Sequence, residues 1–167
     1  SAKNIYLQST QLSQIMDPNN LYRLGIIEQS IGNYSAARYS YDLALKATNN
    51  VNFRKKQIQA SIFFQIGTSY YEQGNFKKAE DYLEKALVIL NTISGSGLTI
   101  GRILLVLGMI QKEKGMSKSA LSFFDEAEAT FKELEDREEI AGASLVRGSI
   151  ELNQNRPKEA MIHLSNA

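Results

Sequence analysis

Apolar residues recur at helical spacing along this chain, and the pattern itself returns about every 41 residues. Each copy carries a glycine that serves as its origin, and these glycines are Gly25, Gly67, Gly108 and Gly148, at spacings of 42, 41 and 40 residues. A period of this length is typical of helix-pair repeats, in which each copy is one supersecondary unit. The pattern therefore predicts four consecutive helix pairs.

Two alanines and one large apolar residue follow the glycine in every copy. Alanine stands twelve positions later, as Ala37, Ala79, Ala120 and Ala160, and again nineteen positions later, as Ala44, Ala86, Ala127 and Ala167. Position sixteen holds Tyr41, Leu83, Phe124 and Leu164. A glycine inside a helix costs about 1 kcal/mol relative to alanine, so its recurrence needs a packing reason. We expect the two helices of each pair to approach closely here, with the glycine facing the alanines.

Start and stop signals divide the chain into helices. A glycine or asparagine seven positions after the origin ends the first helix of each pair, at Gly32, Gly74, Gly115 and Asn155. The predicted helices span about 18–31, 34–48, 52–73, 76–91, 98–114, 117–134, 137–153 and 157 to the end, after a leading helix at 1–16. These give repeats at about 18–50, 52–93, 98–134 and 137–167 within one domain, with a flexible connector at Ser94 to Gly97.

Composition and charge indicate which classes of partner this chain is not suited to bind. The net charge of +1 and the pI near 7.8 give no drive toward nucleic acid or an anionic membrane surface. The longest apolar run, Ile103 to Ile110, is too short for a bilayer, which needs about 20 residues. From the charge and the short apolar run, we expect a protein that contacts neither nucleic acid nor membrane. The absence of cysteine fits a reducing compartment, so we also expect a cytoplasmic location.

The residues that catalysis needs are scarce. His163 is the single histidine, which excludes a histidine-based triad and a site of several imidazoles. The carboxylates Glu80, Asp81 and Glu84 stand among lysines, as on a solvated helix face. We therefore predict no catalytic residue, cofactor or metal. Eight acidic residues between Asp125 and Glu139 form either a solvated helix junction or a docking site for a basic segment.

A large apolar residue precedes the glycine in three copies, as Leu24, Ile66 and Leu107, and aromatic residues follow it as Tyr70, three positions on, and as Tyr34 and Phe76, nine positions on. Together with the glycine and the two alanines, these positions resemble those of the tetratricopeptide repeat family. The resemblance covers about residues 18 to 167 and is weakest in the fourth copy, where Ser144 and Arg147 replace large apolar residues. The period exceeds the usual length of about 34 residues, as in the longer repeats of kinesin light chains and bacterial regulatory proteins. The resemblance implies an all-α fold, a right-handed α-solenoid of antiparallel helix pairs, with about four repeats plus a leading helix.

The resemblance also implies a concave groove, lined by the first helix of each pair, that binds a protein or peptide as an amphipathic helix or extended segment. The candidate groove residues are Tyr22, Ile26, Phe64, Thr68, Tyr71, Arg102, Leu105, Met109 and Lys112. We expect the aromatic and apolar members of repeats two and three to form one patch, beside two cations that suit an acidic residue of the partner. The alternative is that the chain's own helices cover these residues.

The function predicted from the resemblance is a non-catalytic scaffold or adaptor. One branch of the family clamps the carboxylate ends of chaperone tails, but only Arg102 and Gln65 match its groove chemistry here. The other alternative is a sensory or regulatory domain of a larger bacterial signalling protein. A solenoid needs a polar terminal cap, and the last predicted helix carries Met161 and Leu164. Either more chain follows in the natural protein or another copy covers this surface, and we expect concentration-dependent self-association through the C-terminal end.

Overall fold

A computed structural model describes residues 17–48, 53–153, 161, 162 and 165 of the chain. Seven α-helices and no β-strand lie within these ranges. They are α1 (Pro18–Ser30), α2 (Tyr34–Ala47), α3 (Phe53–Glu72), α4 (Phe76–Leu90), α5 (Gly97–Glu113), α6 (Ser117–Glu133) and α7 (Arg137–Asn153). Each bound lies within one residue of its prediction. The predicted leading helix lies outside the described residues, as does most of the last helix.

The first helix of each pair ends in a left-handed turn that glycine makes easily. Gly32, Gly74 and Gly115 have φ of 79°, 72° and 75°. At α1 the Gly32 amide donates to the carbonyl of Gln29 at 2.9 Å and the Asn33 amide donates to that of Glu28 at 2.8 Å. The same bond pattern closes α3 and α5 and satisfies the last helical carbonyls. The predicted stops are confirmed, except at residue 155, which lies outside the described ranges.

The glycines at the repeat origin leave space for a large side chain. A Cβ added to these glycines would lie 2.3, 2.8 and 2.6 Å from a side-chain atom of the second helix. The pairs are Gly25 with Tyr41, Gly67 with Leu83 and Gly108 with Phe124. The close approach is thus confirmed. At Gly67 the carbonyl oxygen of Ala79 lies 3.3 Å from the added Cβ, as expected of a glycine that faces alanine, but the nearest atoms at these three glycines belong to a larger residue. The residue sixteen positions on packs over the glycine, because a ring or branched side chain fills the crossing better than the methyl of alanine.

The chain divides into two compact units, residues 1–93 and 94–167, with the boundary at the predicted connector. In the first unit α1 packs on α2, α3 packs on α4, and α2 and α3 join the two pairs. One core cluster contains Leu21, Ala37, Tyr41, Ala44, Ile62 and Ile66. The guanidinium of Arg38 adds a polar contact between the pairs, 4.8 Å from the centre of the Tyr70 ring. That all 167 residues form one domain stays a prediction.

In the second unit α5 packs on α6, and α6 packs on α7. Among its described residues, one core cluster contains Leu104, Ala127, Phe131 and Ala143, and another contains Ala120, Phe124 and Ile150. Ser144 and Arg147, the residues that replace large apolar ones in the fourth copy, lie where α7 packs on α6. Ser144 is fully buried, and Arg147 forms ion pairs with Asp125, Glu128 and Glu151. Charge pairing therefore replaces part of the apolar packing that holds the other copies together.

Candidate functional site

An open cleft of about 470 Å³ lies between α1 and α3, the first helices of the first two repeats. Its lining residues are Ile26, Gln29, Ser30, Gly32, Tyr34, Gln65 and Glu72. They come from the C-terminal half of α1, the turn that follows it, the start of α2 and the C-terminal half of α3. We refer to this site as the α1–α3 cleft. Of the predicted groove residues, Ile26 lines it directly and is 37% exposed.

The side chain of Gln29 connects the two walls of the cleft. Its Nε2 donates to Oε2 of Glu72 at 3.1 Å and to Oγ1 of Thr68 at 3.3 Å. Its Oε1 accepts a 3.1 Å hydrogen bond from the hydroxyl of Tyr41. Burial raises the pKa of Tyr41 far above its ordinary value, and neighbouring side chains, Glu72 among them, add to the shift. Tyr41 therefore stays a donor at neutral pH and fixes the orientation of the Gln29 amide.

Tyr22 and Thr68, both predicted groove residues, belong to the same polar wall. The ring of Tyr22 lies 6.1 Å from that of Tyr41 and packs against the core cluster of the first unit. Burial raises the pKa of Tyr22, and its hydrogen bond with Gln65 offsets part of that rise. Thr68 donates to the backbone carbonyl of Gln65 at 2.9 Å. The cleft floor is thus a connected network of amide and hydroxyl groups.

The two remaining groove residues of the first unit, Phe64 and Tyr71, are half-buried on α3. The ring of Tyr71 lies 6.1 Å from that of Phe76, at the start of α4. Part of each ring reaches solvent, so each can offer apolar area to a ligand. Since Leu105 and Met109 belong to the second unit, the predicted four-residue patch stays a prediction.

In the second unit the groove residues are already engaged by the chain itself. Leu105 and Met109 are partly buried and pack against Phe124 and its neighbours in the core. Arg102 forms an ion pair with Glu139 of α7, with Nη2 2.5 Å and Nε 2.6 Å from Oε1. Lys112 is partly buried in the last turn of α5. Leu105 and Met109 are nevertheless as partly buried as Phe64 and Tyr71, so the alternative that the chain covers its own groove stays a prediction.

The acidic stretch from Asp125 to Glu139 also finds cations within the second unit. Glu128 pairs with Lys132 at 2.5 Å, and Asp125 pairs with Arg147. Glu139 holds Arg102. These ion pairs within the chain favour the interpretation of the stretch as a helix junction over that of a docking site for a basic segment.

A larger cleft of about 610 Å³ also lies in the first unit. Its lining residues are Phe63, Asp81, Glu84, Lys85, Val88 and Ile89. Five of these six belong to α4, a second helix, and none is a predicted groove residue. We therefore take the α1–α3 cleft as the candidate site.

Sequence reasoning left Gln29, Gln65 and Glu72 out of the predicted set. Gln29 stands four positions after its glycine, the same place that Tyr71 and Lys112 of the predicted set hold in their copies. Glu72 could have been recognised as a candidate from its position, because it is the last residue of α3. A carboxylate at a helix C-terminus is disfavoured by the helix dipole, so its presence suggests a purpose other than helix stability.

Repeated antiparallel helix pairs with a cleft between their first helices define a helical-repeat binding protein. The tetratricopeptide repeat model matches this chain over residues 17–92 and 59–133, and a second model of the same description matches residues 112–166. The chain belongs to the tetratricopeptide repeat family. No curated protein matches it in sequence.

Solved structures of low sequence identity share the fold. The Rap conjugation gene regulator of plasmid pLS20, solved with the Phr* peptide, is 19% identical with a TM-score of 0.73, covering 86% of this chain and 40% of that one. Aspartyl phosphate phosphatase F from Bacillus subtilis is 16% identical with a TM-score of 0.79, covering 96% and 41%. MamA is 13% identical with a TM-score of 0.67, covering 95% and 81%. The chain thus spans about two fifths of the first two proteins.

Two further observations concern the described residues alone. None of their helices combines the length and apolar character that crossing a bilayer requires. Within the same ranges, no three histidine, aspartate or glutamate side chains are grouped to hold a metal ion.

Proposed function

We propose that this chain is a non-catalytic, cytoplasmic peptide-binding module that acts through the first-helix face of its repeats. The observation that carries the proposal is the α1–α3 cleft, which lies where the tetratricopeptide family presents its binding groove and contains residues from two successive first helices. Its volume of about 470 Å³ falls in the range of ligand sites. A solved structure of the same fold was obtained in complex with a peptide.

The chemistry of the cleft fits a short extended segment better than a helix. A few residues of extended chain fill a cleft of this size, and an extended backbone presents unpaired N–H and C=O groups. The Oε1 of Gln29 has one lone pair left to accept from a ligand N–H group, and the Gln65 amide also lines the cleft. Ile26 supplies apolar area inside the cleft. Tyr71 precedes Glu72 on α3, and we expect its half-buried ring to add apolar area beside the cleft at low entropic cost.

The test begins with selection of short peptides, from a displayed random library, that bind the 167-residue chain. Affinities of the selected peptides are then measured for Ile26→Glu and for its neighbour Ile27→Glu. Ile26 lines the cleft, whereas Ile27 is 59% exposed and outside it. We expect Ile26→Glu to weaken binding by about tenfold or more, and Ile27→Glu to leave it unchanged. Equal effects of the two variants, or a library that yields no binder, would contradict the proposal.

A regulatory domain of a larger signalling protein is the second candidate. This candidate is favoured because the chain spans only 40% of a conjugation gene regulator and 41% of an aspartyl phosphate phosphatase that share its fold. The coding sequence on either side of this segment tests it: an adjoining kinase, phosphatase or DNA-binding domain would support this candidate, and its absence would leave an isolated adaptor.

A further inference from the structure

The α1–α3 cleft holds a carboxylate that no cation of the described chain neutralises. Glu72 is the single charged residue among those that line the cleft, and none of the ion pairs found in the described ranges includes it. Its one hydrogen bond to another side chain there comes from the neutral Gln29 amide, at 3.1 Å. The cleft therefore presents a negative charge on a polar floor.

The position of Glu72 in its helix strengthens this charge. Glu72 and Glu113 both stand five positions after the repeat glycine and end α3 and α5. In α5 the last turn also carries Lys112, but α3 has no basic residue in its last turn. The partial negative charge of the helix C-terminus adds to that of the carboxylate. Glu72 is thus left without the local compensation that its counterpart has.

The neighbouring helix ends do not remove this negative potential. The C-terminus of α1 also borders the cleft and likewise lacks a basic residue in its last turn. The N-terminus of α2, which begins at Tyr34 on the rim, offsets part of that dipole. The full charge of Glu72 therefore dominates the electrostatics of the cleft.

We infer that the α1–α3 cleft selects an extended peptide that carries a basic side chain, with the lysine or arginine head placed at Glu72. The inference rests on the proposed function and names the chemistry of its partner. It differs from the acidic anchor expected from the sequence, which relied on Arg102 and Lys112. Arg102 is engaged by Glu139 at 2.5 Å. Gln29 holds Glu72 Oε2 in place, so a ligand cation meets an oriented acceptor.

The probes are random pentapeptide libraries with an acetylated N-terminus, an amidated C-terminus and a fixed central residue: lysine, norleucine or glutamate. Binding to the full chain is followed by NMR, through the backbone amide shifts of Ile26, Gln29, Thr68 and Glu72. We expect the lysine library to produce the same amide shift changes at about fivefold lower concentration than the norleucine library, a difference typical of a partly exposed ion pair. Glu72→Gln should abolish this difference, and the matched variant Glu113→Gln should preserve it.

The possible outcomes separate this inference from the proposed function. If the norleucine and lysine libraries act equally, the cleft binds peptides but the choice of a basic partner is wrong. If no library shifts these resonances, the binding function fails as well. A norleucine library with a free amino terminus that equals the lysine library would place the peptide amino group at Glu72 and overturn the side-chain assignment.

Discussion

At the scale of the residue, the repeat glycines are set by the side chain that packs over them. Phe124 lies over Gly108, and an added Cβ would be 2.6 Å from its ring. Gly142, inside α7, has no heavy atom within 4 Å of the same position. Both glycines are helical, so the cost of glycine in a helix is common to them and only the packing differs.

This pair gives a controlled prediction for urea unfolding. Gly142→Ala should raise the free energy of unfolding by about 0.5–1 kcal/mol, because alanine is the better helix former. Gly108→Ala should lower it by about 1–2 kcal/mol, because the displaced ring costs more than the helix gains. If Gly108→Ala were as stabilising as Gly142→Ala, the close crossing would not exist.

At the scale of the element, α7 is held partly by charge. The side chain of Arg147 is 22% exposed and lies between Glu128 of α6, 3.6 Å away, and Glu151 of its own helix, 3.2 Å away. Arg147→Met would leave the Glu151 carboxylate, 5% exposed, without its cation. We expect a loss of about 2 kcal/mol in unfolding free energy, measured by urea titration, since the site is partly open to water.

Two variants control this experiment. Lys132→Met removes a cation whose side chain is 60% exposed, and should change stability by less than about 0.5 kcal/mol. Combining Arg147→Met with Glu151→Gln should recover part of the loss, because the stranded charge is removed too. An Arg147→Met variant as stable as Lys132→Met would show that the network contributes nothing.

The elements were predictable because local chemistry sets their ends. Asp17 caps α1, its side chain accepting a 2.7 Å hydrogen bond from the Asn19 amide. This capping residue and the glycines with left-handed φ can be recognised from the sequence alone. The end of α6, a second helix, is a partial exception, since the residue that takes a left-handed φ there, 56°, is Glu135 and not a glycine. Side-chain partners were less predictable. The hydrogen bond from Gln29 to Glu72 joins residues 43 positions apart, and the repeat pattern does not tell which side chains of two neighbouring helices lie opposite each other.

At the scale of the whole molecule, both units expose large apolar side chains, and those of the second unit include residues near the C-terminal end. Leu145 and Leu152, seven residues apart on α7, are 51% and 48% exposed, and Met161 and Ile162 are 70% and 59% exposed. The sequence led us to expect association through the C-terminal end. We propose that copies of the chain associate through these exposed residues of α7 and of positions 161 and 162. Sedimentation velocity should then show a mass that rises with concentration.

The variant Leu145→Glu tests this surface against Val88→Glu, an exposed apolar residue of the first unit. Leu145→Glu should keep the chain monomeric over a wide concentration range, whereas Val88→Glu should not. A wild-type chain that stays monomeric throughout would contradict the proposal.

The central claim is that ligands bind on the first helices, and site-specific photo-crosslinking measures the location of binding directly. The photoreactive residue p-benzoylphenylalanine replaces either Tyr71 on α3 or Tyr39 on α2, which is 66% exposed. Each protein is irradiated with a peptide selected for binding to the wild-type chain. The account predicts a crosslinked product from position 71 and none from position 39. Crosslinking from position 39 alone, or equally from both, would contradict it.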